Sequence, residues 1–192
     1  MDILVDANQA QSPYPWQAGV IWDLDRAKRM NQKMHELGCY WLEEPRPRYN
    51  FDELSELVSM NMTKISGGEN NTVVSDFHEM VNKNSYDILQ PESMVMGGIT
   101  PLIEIGEISK KYNKEIVPHH GGGDLGVVAH MHLLATWNNA PYCEMLNDPP
   151  LSSYKNKFFI FNEDLNVKDG IINVPNTPGL GVTIKEDLII RE

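Results

Sequence analysis

The stretch ILVDANQA, residues 3–10, opens the chain with an apolar run that ends on Asp6 and Asn8. A short apolar run bounded by polar residues reads as a buried strand, here with a carboxylate at its C-terminal tip. Two later runs repeat the pattern: YWLEEP, residues 40–45, and KISGGEN, residues 64–70. Amphipathic segments lie between them. In residues 23–37, Leu24, Ala27, Met30, Met34 and Leu37 recur at helical spacing, and Gly38 follows as a stop. Further helices are expected at residues 51–60, 76–82, 101–112 and 125–137, with Ser75 as an N-cap and Pro101 in a first turn. Strands are expected at residues 3–6, 40–43, 65–69, 86–90, 115–118 and 142–145. Six strands alternating with five helices through short loops imply parallel strands with crossover helices. No early G-x-G-x-x-G supports a dinucleotide fold. Repeating βα units with chemistry at the strand ends point to a (β/α) barrel.

The expected fold class is therefore α/β, a partial TIM-like barrel contributing its last six strands. A closed barrel has about eight strands and about 250 residues, and the first tipped strand lies at the start of the chain. The reading is of a barrel whose first strands are missing. Residues 1–145 are expected to form the partial barrel. Residues 146–192, rich in Asn, Pro and Gly with short runs such as IINVP and GLGVTI, are expected to form a tail of loops and short strands that packs back on it.

Composition narrows the function. The 192 residues are 41% hydrophobic, enough for a core, and none of the apolar runs approaches the roughly 18–20 residues of a membrane span. The net charge of −11 argues against nucleic acid or an anionic membrane as partner. Cys39 and Cys143 sit in or beside apolar runs and are expected to be free thiols. With no export signal expected, the location expected is the cytoplasm.

In a parallel barrel the C-terminal strand ends ring one face. Asp6, Glu43 and Glu69 would meet there and repel one another if unpaired. All-oxygen ligation suits a hard cation such as Mg²⁺. LEEP holds two acids on opposite sides of a strand: Trp41 and Glu43 share one side, Leu42 and Glu44 the other, and periodicity does not choose between them. Glu92 lies just past the tip of ILQPES, His119 and His120 at the tip of VPHHGGG, and Glu144 at the end of YCEML. His119 is a candidate general acid or base, and a contact with Glu92 would fix its tautomer. Two weaker readings concern loops: substrate contact by Tyr14 and Trp16, and a phosphate cradle at residues 121–123. His130 and His132, two apart in a helix, face different ways and make no ligand pair.

The run VDAN, WLEEP, GGEN, LQPES…GGIT, VPHHGG, YCEML and INVPNTPGLGV resembles the enolase superfamily, in its mandelate racemase-like branch, over essentially the whole chain. That resemblance implies a capping domain followed by a modified (β/α)7β barrel, so the N-terminal capping domain is also expected to be missing. It implies Asp6, Glu43 and Glu69 as Mg²⁺ ligands, which selects Glu43 over Glu44. It further implies His119 as the catalytic histidine, Glu92 as its carboxylate partner, Glu144 as an acid that helps stabilise the enolate, and Asn8 and Asn70 as substrate-lining residues. Two departures stand out: the partner acid is usually Asp, and the lysine base of the family belongs on a strand before VDAN. The implied reaction is Mg²⁺-dependent dehydration of an acid sugar through an ene-diolate to a 2-keto-3-deoxy acid, with a small carboxylate as substrate and a homo-oligomer as the assembly. The alternatives are an epimerase or racemase with the same site, and a catalytically inactive fragment.

Overall fold

A computed structural model describes residues 1–10, 20–120, 124–150, 153 and 158–190. The loop aromatics Tyr14 and Trp16 and the glycines at 121–123 lie outside them. Five parallel strands are present: β1 (Leu4–Asp6), β2 (Trp41–Glu43), β3 (Lys64–Gly67), β4 (Ile88–Leu89) and β5 (Glu115–Ile116). They pair in the order β1-β2-β3-β4-β5. An order with no reversal is the arc of a βα barrel; a doubly wound sheet would reverse at a switch point. The crossovers are α1 (Leu24–Glu36), α2 (Phe51–Ser59), α3 (Val74–Asn82), α4 (Ser93–Met96) with α5 (Ile99–Lys111), and α6 (Asp124–Leu134) follows β5. None of the described helices is long and apolar enough to cross a membrane.

Sequence periodicity accounts for the helices. Asp23 caps α1, its carboxylate accepting the Arg26 N–H at 2.7 Å. The apolar faces of α1, α2, α3 and α5 bury Ala27, Leu54, Leu57, Phe77, Met80, Leu102 and Ile105 against Leu42, Ile65 and Leu89. A second, smaller cluster sits inside the arc: Trp41, Ile88 and Val117, with Tyr40 and Tyr142 against them. Leu42 thus faces the helices and Trp41 the interior, which settles the orientation that periodicity left open. Glu43 shares the interior side, and β-pairing sets Asp6 level with Glu43 and Glu43 level with Ser66.

Two expectations are corrected. The sixth strand, expected at residues 142–145, carries no strand pairing, so the arc has five strands among the described residues. β5 offers only two residues as a ladder, and Pro118 and Pro141 lack the N–H groups that would lengthen the pairing. The segment still closes inward, with Tyr142 donating to Asp2 Oδ2 at 2.5 Å and its ring 5.8 Å from Trp41. Ser75 is not a cap: α3 begins at Val74, two residues before the expected start at 76, with Val73 at the N-cap and no side-chain cap bond. The one-turn helix α4 was not expected, because four residues are too few to show a period.

Beyond residue 145, β6 (Val167–Lys168) and β7 (Ile171–Ile172) form an antiparallel hairpin. Phe158 and Phe161 pack on Val127 and Val128 of α6. Both cysteines are free.

The double glycine at the end of β3, Gly67 and Gly68, is required twice over. Gly68 has φ +118°, a region that L side chains rarely adopt. A Cβ on Gly67 would stand 2.7 Å from Cε1 of Tyr86, a fully buried ring. Gly67→Ala is expected to destabilise the protein by about 1–3 kcal/mol, read by thermal unfolding. Tyr86→Leu should recover part of that loss in the double variant. Additive losses would show that the two positions are not coupled.

Candidate active site

The C-terminal strand ends gather titratable groups, as expected of this face. Glu43 is buried at the tip of β2. Burial, only partly opposed by the Gln90 side chain, and the neighbouring Asp6, Glu144 and Glu69 push its pKa up to about 8. Glu44, the next residue, turns away at φ 42°. Both its carboxylate oxygens are buried with no hydrogen-bond partner among the described residues, and burial followed by Glu69 raises it to about 8 as well. Burial likewise raises Glu69 and Glu144, and Glu144 Oε2 has no partner. Asp6 accepts the backbone N–H of Asn8 at 2.8 Å, and burial still raises its pKa.

His119 lies between two of these acids. Its Nδ1 is 3.2 Å from Glu92 Oε2 and its Nε2 is 3.2 Å from Glu69 Oε2. Burial alone would lower its pKa. The hydrogen bond to Glu92 and the charges of Glu69 and Glu144 outweigh that and raise it to about 9. Glu92 moves the other way: burial would raise it, but His119, His120 and the Met94 N–H hold it well below the usual carboxylate range. The longer arm of Glu, where the resembled family has Asp, is taken up locally. Glu92 is the N-cap of α4, its Oε1 accepting from Met94 N–H at 3.0 Å and Ser93 Oγ at 3.3 Å, which leaves Oε2 for His119.

Asn70 donates to Glu69 Oε1 at 2.6 Å, and the Asn8 side chain donates to Asp6. Sequence reasoning missed Arg48, which ties two rim loops together: Nε and Nη2 donate to Ala10 O at 2.9 and 2.7 Å, and Nη1 to Asn70 O at 2.8 Å. It also missed His120 and His130, which face Glu92 from behind at 3.7 and 3.4 Å. His132 turns elsewhere, to Leu180 O at 3.0 Å, so the two helix histidines form no pair. The other end of the strands carries an ion pair between Lys64 and Glu115, with Tyr40 bonded to both at 2.8 Å.

Asp6, Glu43 and Glu69 are electrostatic neighbours, but they are more open than a closed ligand set. Among the described residues, the one trio of such side chains with ligand atoms all within 4.8 Å of one another is Glu92, His120 and His130. Five acids nevertheless converge on the rim with His119 and Arg48 as their counter-charges. A divalent cation on the oxygen donors would relieve that imbalance, so the residues fit one.

Comparison with known proteins follows the same lines. The family model described as enolase C-terminal domain-like matches residues 1–188. L-talarate/galactarate dehydratase of Salmonella typhimurium is 29% identical over 184 residues, 96% of this chain and 40% of that protein. Arabinonate dehydratase of Saccharolobus solfataricus is 28% identical over 184 residues, 96% of this chain and 45% of that one. The crystal structure of L-talarate dehydratase from Polaromonas sp. JS666, complexed with Mg and L-glucarate, superposes with a TM-score of 0.78 at 26% identity, covering 97% of this chain and 45% of that one. The chain thus spans less than half the length of the relatives it matches.

Proposed function

The chain belongs to the enolase C-terminal domain-like family, and on that premise we propose that it carries the metal-binding and proton-transfer groups of an acid-sugar dehydratase. The observation that carries the reading is the set of acids around His119, itself held by Glu92 at 3.2 Å. Relatives named as dehydratases of talarate, galactarate and arabinonate, and a neighbour holding Mg and L-glucarate, support the substrate class.

Asp6, Glu43 and Glu69 would hold Mg²⁺. When bound, it would supply positive charge to a substrate carboxylate while the adjacent carbon loses its proton. His119 holds a proton at Nε2, the nitrogen that faces the rim. Glu92 fixes Nδ1 and keeps the ring cationic, so His119 delivers its proton to the departing β-hydroxyl. The α-proton passes to a base other than the cationic His119, the β-hydroxyl leaves as water with the His119 proton, and the resulting enol tautomerises to the 2-keto-3-deoxy acid. Glu144, whose pKa burial raises, stands where an acid would meet the substrate carboxylate. Asn8 and Asn70 orient the polyol.

The test uses this chain alone and with the N-terminal half of the Salmonella relative supplied in trans. Aldarates and aldonates are offered with and without Mg²⁺, and keto acid is trapped with semicarbazide. Mg²⁺-dependent keto acid, lost in Glu69→Gln, is the expected result. Exchange of the α-proton with solvent deuterium and no keto acid would replace dehydration with epimerisation. Neither product nor exchange, with Mg²⁺ bound, would leave the chain without the activity.

A further inference from the structure

Behind His119 lies a second cluster, of which the dehydration chemistry uses only Glu92. Adjacent residues at a strand end point to opposite sides: His119 faces the rim, and His120 faces α6. There His120 meets His130, with ring centroids 5.7 Å apart and nearly perpendicular planes. Each is 1% exposed, and Glu92 between them is 5% exposed. Both ring nitrogens of His120, and Nδ1 of His130, are buried with no hydrogen-bond partner among the described residues. Buried polar atoms left in that condition are uncommon and costly.

The remaining nitrogen sharpens the point. His130 Nε2 accepts the Ser93 N–H at 3.2 Å through its one lone pair, a bond whose place an ion would take, and it stands 3.4 Å from Glu92 Oε1. Two lone-pair atoms facing one another at that distance suit a cation between them. The space is also shaped for the ring. A Cβ on Gly126 of α6 would lie 3.0 Å from His120 Cε1 and 3.2 Å from its Nδ1, so glycine lets the imidazole lie against the helix where a larger residue would push it back by a few tenths of an ångström. Gly126 and His130, four apart, share that helix face.

We propose that Glu92, His120 and His130 form a buried binding site for a divalent transition-metal ion of the zinc class, separate from the carboxylate cluster. Zinc bonds of about 2.0–2.1 Å in a tetrahedral shell set neighbouring ligand atoms roughly 3.3–3.5 Å apart. The two imidazoles meet the carboxylate at different oxygens, His130 Nε2 3.4 Å from Oε1 and His120 Nδ1 3.7 Å from Oε2. Two imidazoles and one carboxylate select zinc over the hard Mg²⁺ that the all-oxygen cluster favours. Three protein ligands leave a fourth position for water. Glu92 Oε2 is also the partner of His119, so an ion here draws on the carboxylate that holds that ring. Binding needs no acid sugar and no turnover, and it stands or falls separately from dehydration.

The metal-stripped chain is titrated with Co²⁺ in excess Mg²⁺, which occupies the carboxylate cluster. The expected result is one bound Co²⁺ with the intense visible bands of tetrahedral coordination, abolished by added Zn²⁺. His120→Gln and His130→Gln should each weaken Zn²⁺ binding at least tenfold, the lower bound set by losses of about 10–100-fold on removing mere outer-shell partners. Glu69→Gln should leave the cobalt bands unchanged while removing Mg²⁺ binding, which separates the two sites. Weak octahedral bands, or tetrahedral bands that persist in both folded histidine variants, would overturn the assignment. If those variants do not fold, X-ray absorption of the Zn²⁺-loaded wild type decides: two imidazoles in the shell support the site, and an oxygen-only shell refutes it.

Discussion

Replacing His119 with Asn is expected to lower keto-acid formation by about 10²–10⁴-fold, the usual contribution of a positioned acid or base, with Mg²⁺ affinity little changed. The split follows from geometry. His119 touches Glu69 and Glu92 but is not one of the oxygen donors proposed to hold the ion. Asn retains an N–H for one of these acids and loses the titrating proton, so it separates proton transfer from positioning. A matched measurement of turnover and of Mg²⁺ binding by calorimetry checks it. Turnover near that of the wild type would remove His119 from the mechanism. Glu92→Gln should fall between the two, because an amide still accepts from Nδ1 but no longer holds the ring cationic.

Much of the architecture was readable because strands and helices leave different periods. The tipped runs around Asp6, Glu43 and Glu69 and the 3.6-residue pattern of Leu24 to Leu37 are local signals, and each element stands within a few residues of its expected place. What failed depended on partners. Residues 142–145 look like a strand by composition, but a strand exists only where a neighbouring ladder accepts it, and β5 is two residues long. Helix α4 is capped by Glu92, a residue outside the usual capping set, so nothing local announced it. The side on which Glu43 lies became visible only when Trp41 met Ile88 and Val117.

The site divides in the same way. The pairing of His119 with Glu92 could be anticipated from consecutive strand tips, because parallel topology brings neighbouring tips together. Arg48 could not: its acceptors are backbone carbonyls 22 and 38 residues away, which no side-chain pattern records. Nor could the facing of His130 toward Glu92 across 38 positions of sequence, since one histidine in an apolar helix carries no sign of its partner. Glycine at 126 was the available clue, and its meaning appears only with the ring of His120 in place.

Glu43→Gln is expected to stabilise the metal-free protein and to abolish its stabilisation by Mg²⁺. Glu43 is 7% exposed and its pKa rises from 4.5 to about 8, chiefly through burial and then through Asp6, Glu144 and Glu69. An acid whose folded pKa lies above its unfolded value binds more protons folded than unfolded between those two values. Its contribution to stability is therefore fully present below about pH 4.5 and is lost as pH rises toward 8. One pH unit of that difference is about 1.4 kcal/mol. The neutral amide escapes this loss, so the variant should gain at least about 1 kcal/mol over the wild type at pH 8 and little at pH 5. Mg²⁺ reverses the order. At a hundred times its dissociation constant, an ion bound only by the folded state adds about 2.7 kcal/mol, and Glu43→Gln should show almost none of it. Denaturant unfolding at pH 5 and pH 8, with and without Mg²⁺, reads all four corners. A variant less stable than the wild type at pH 8 without metal would mean that the Glu43 carboxylate is already compensated, and the case for a cation among these acids would lose its physical basis. The expected crossing has a plain cause: acids gathered tightly enough to bind a divalent ion repel one another in its absence, so the residues that would make the site useful also make the empty protein less stable.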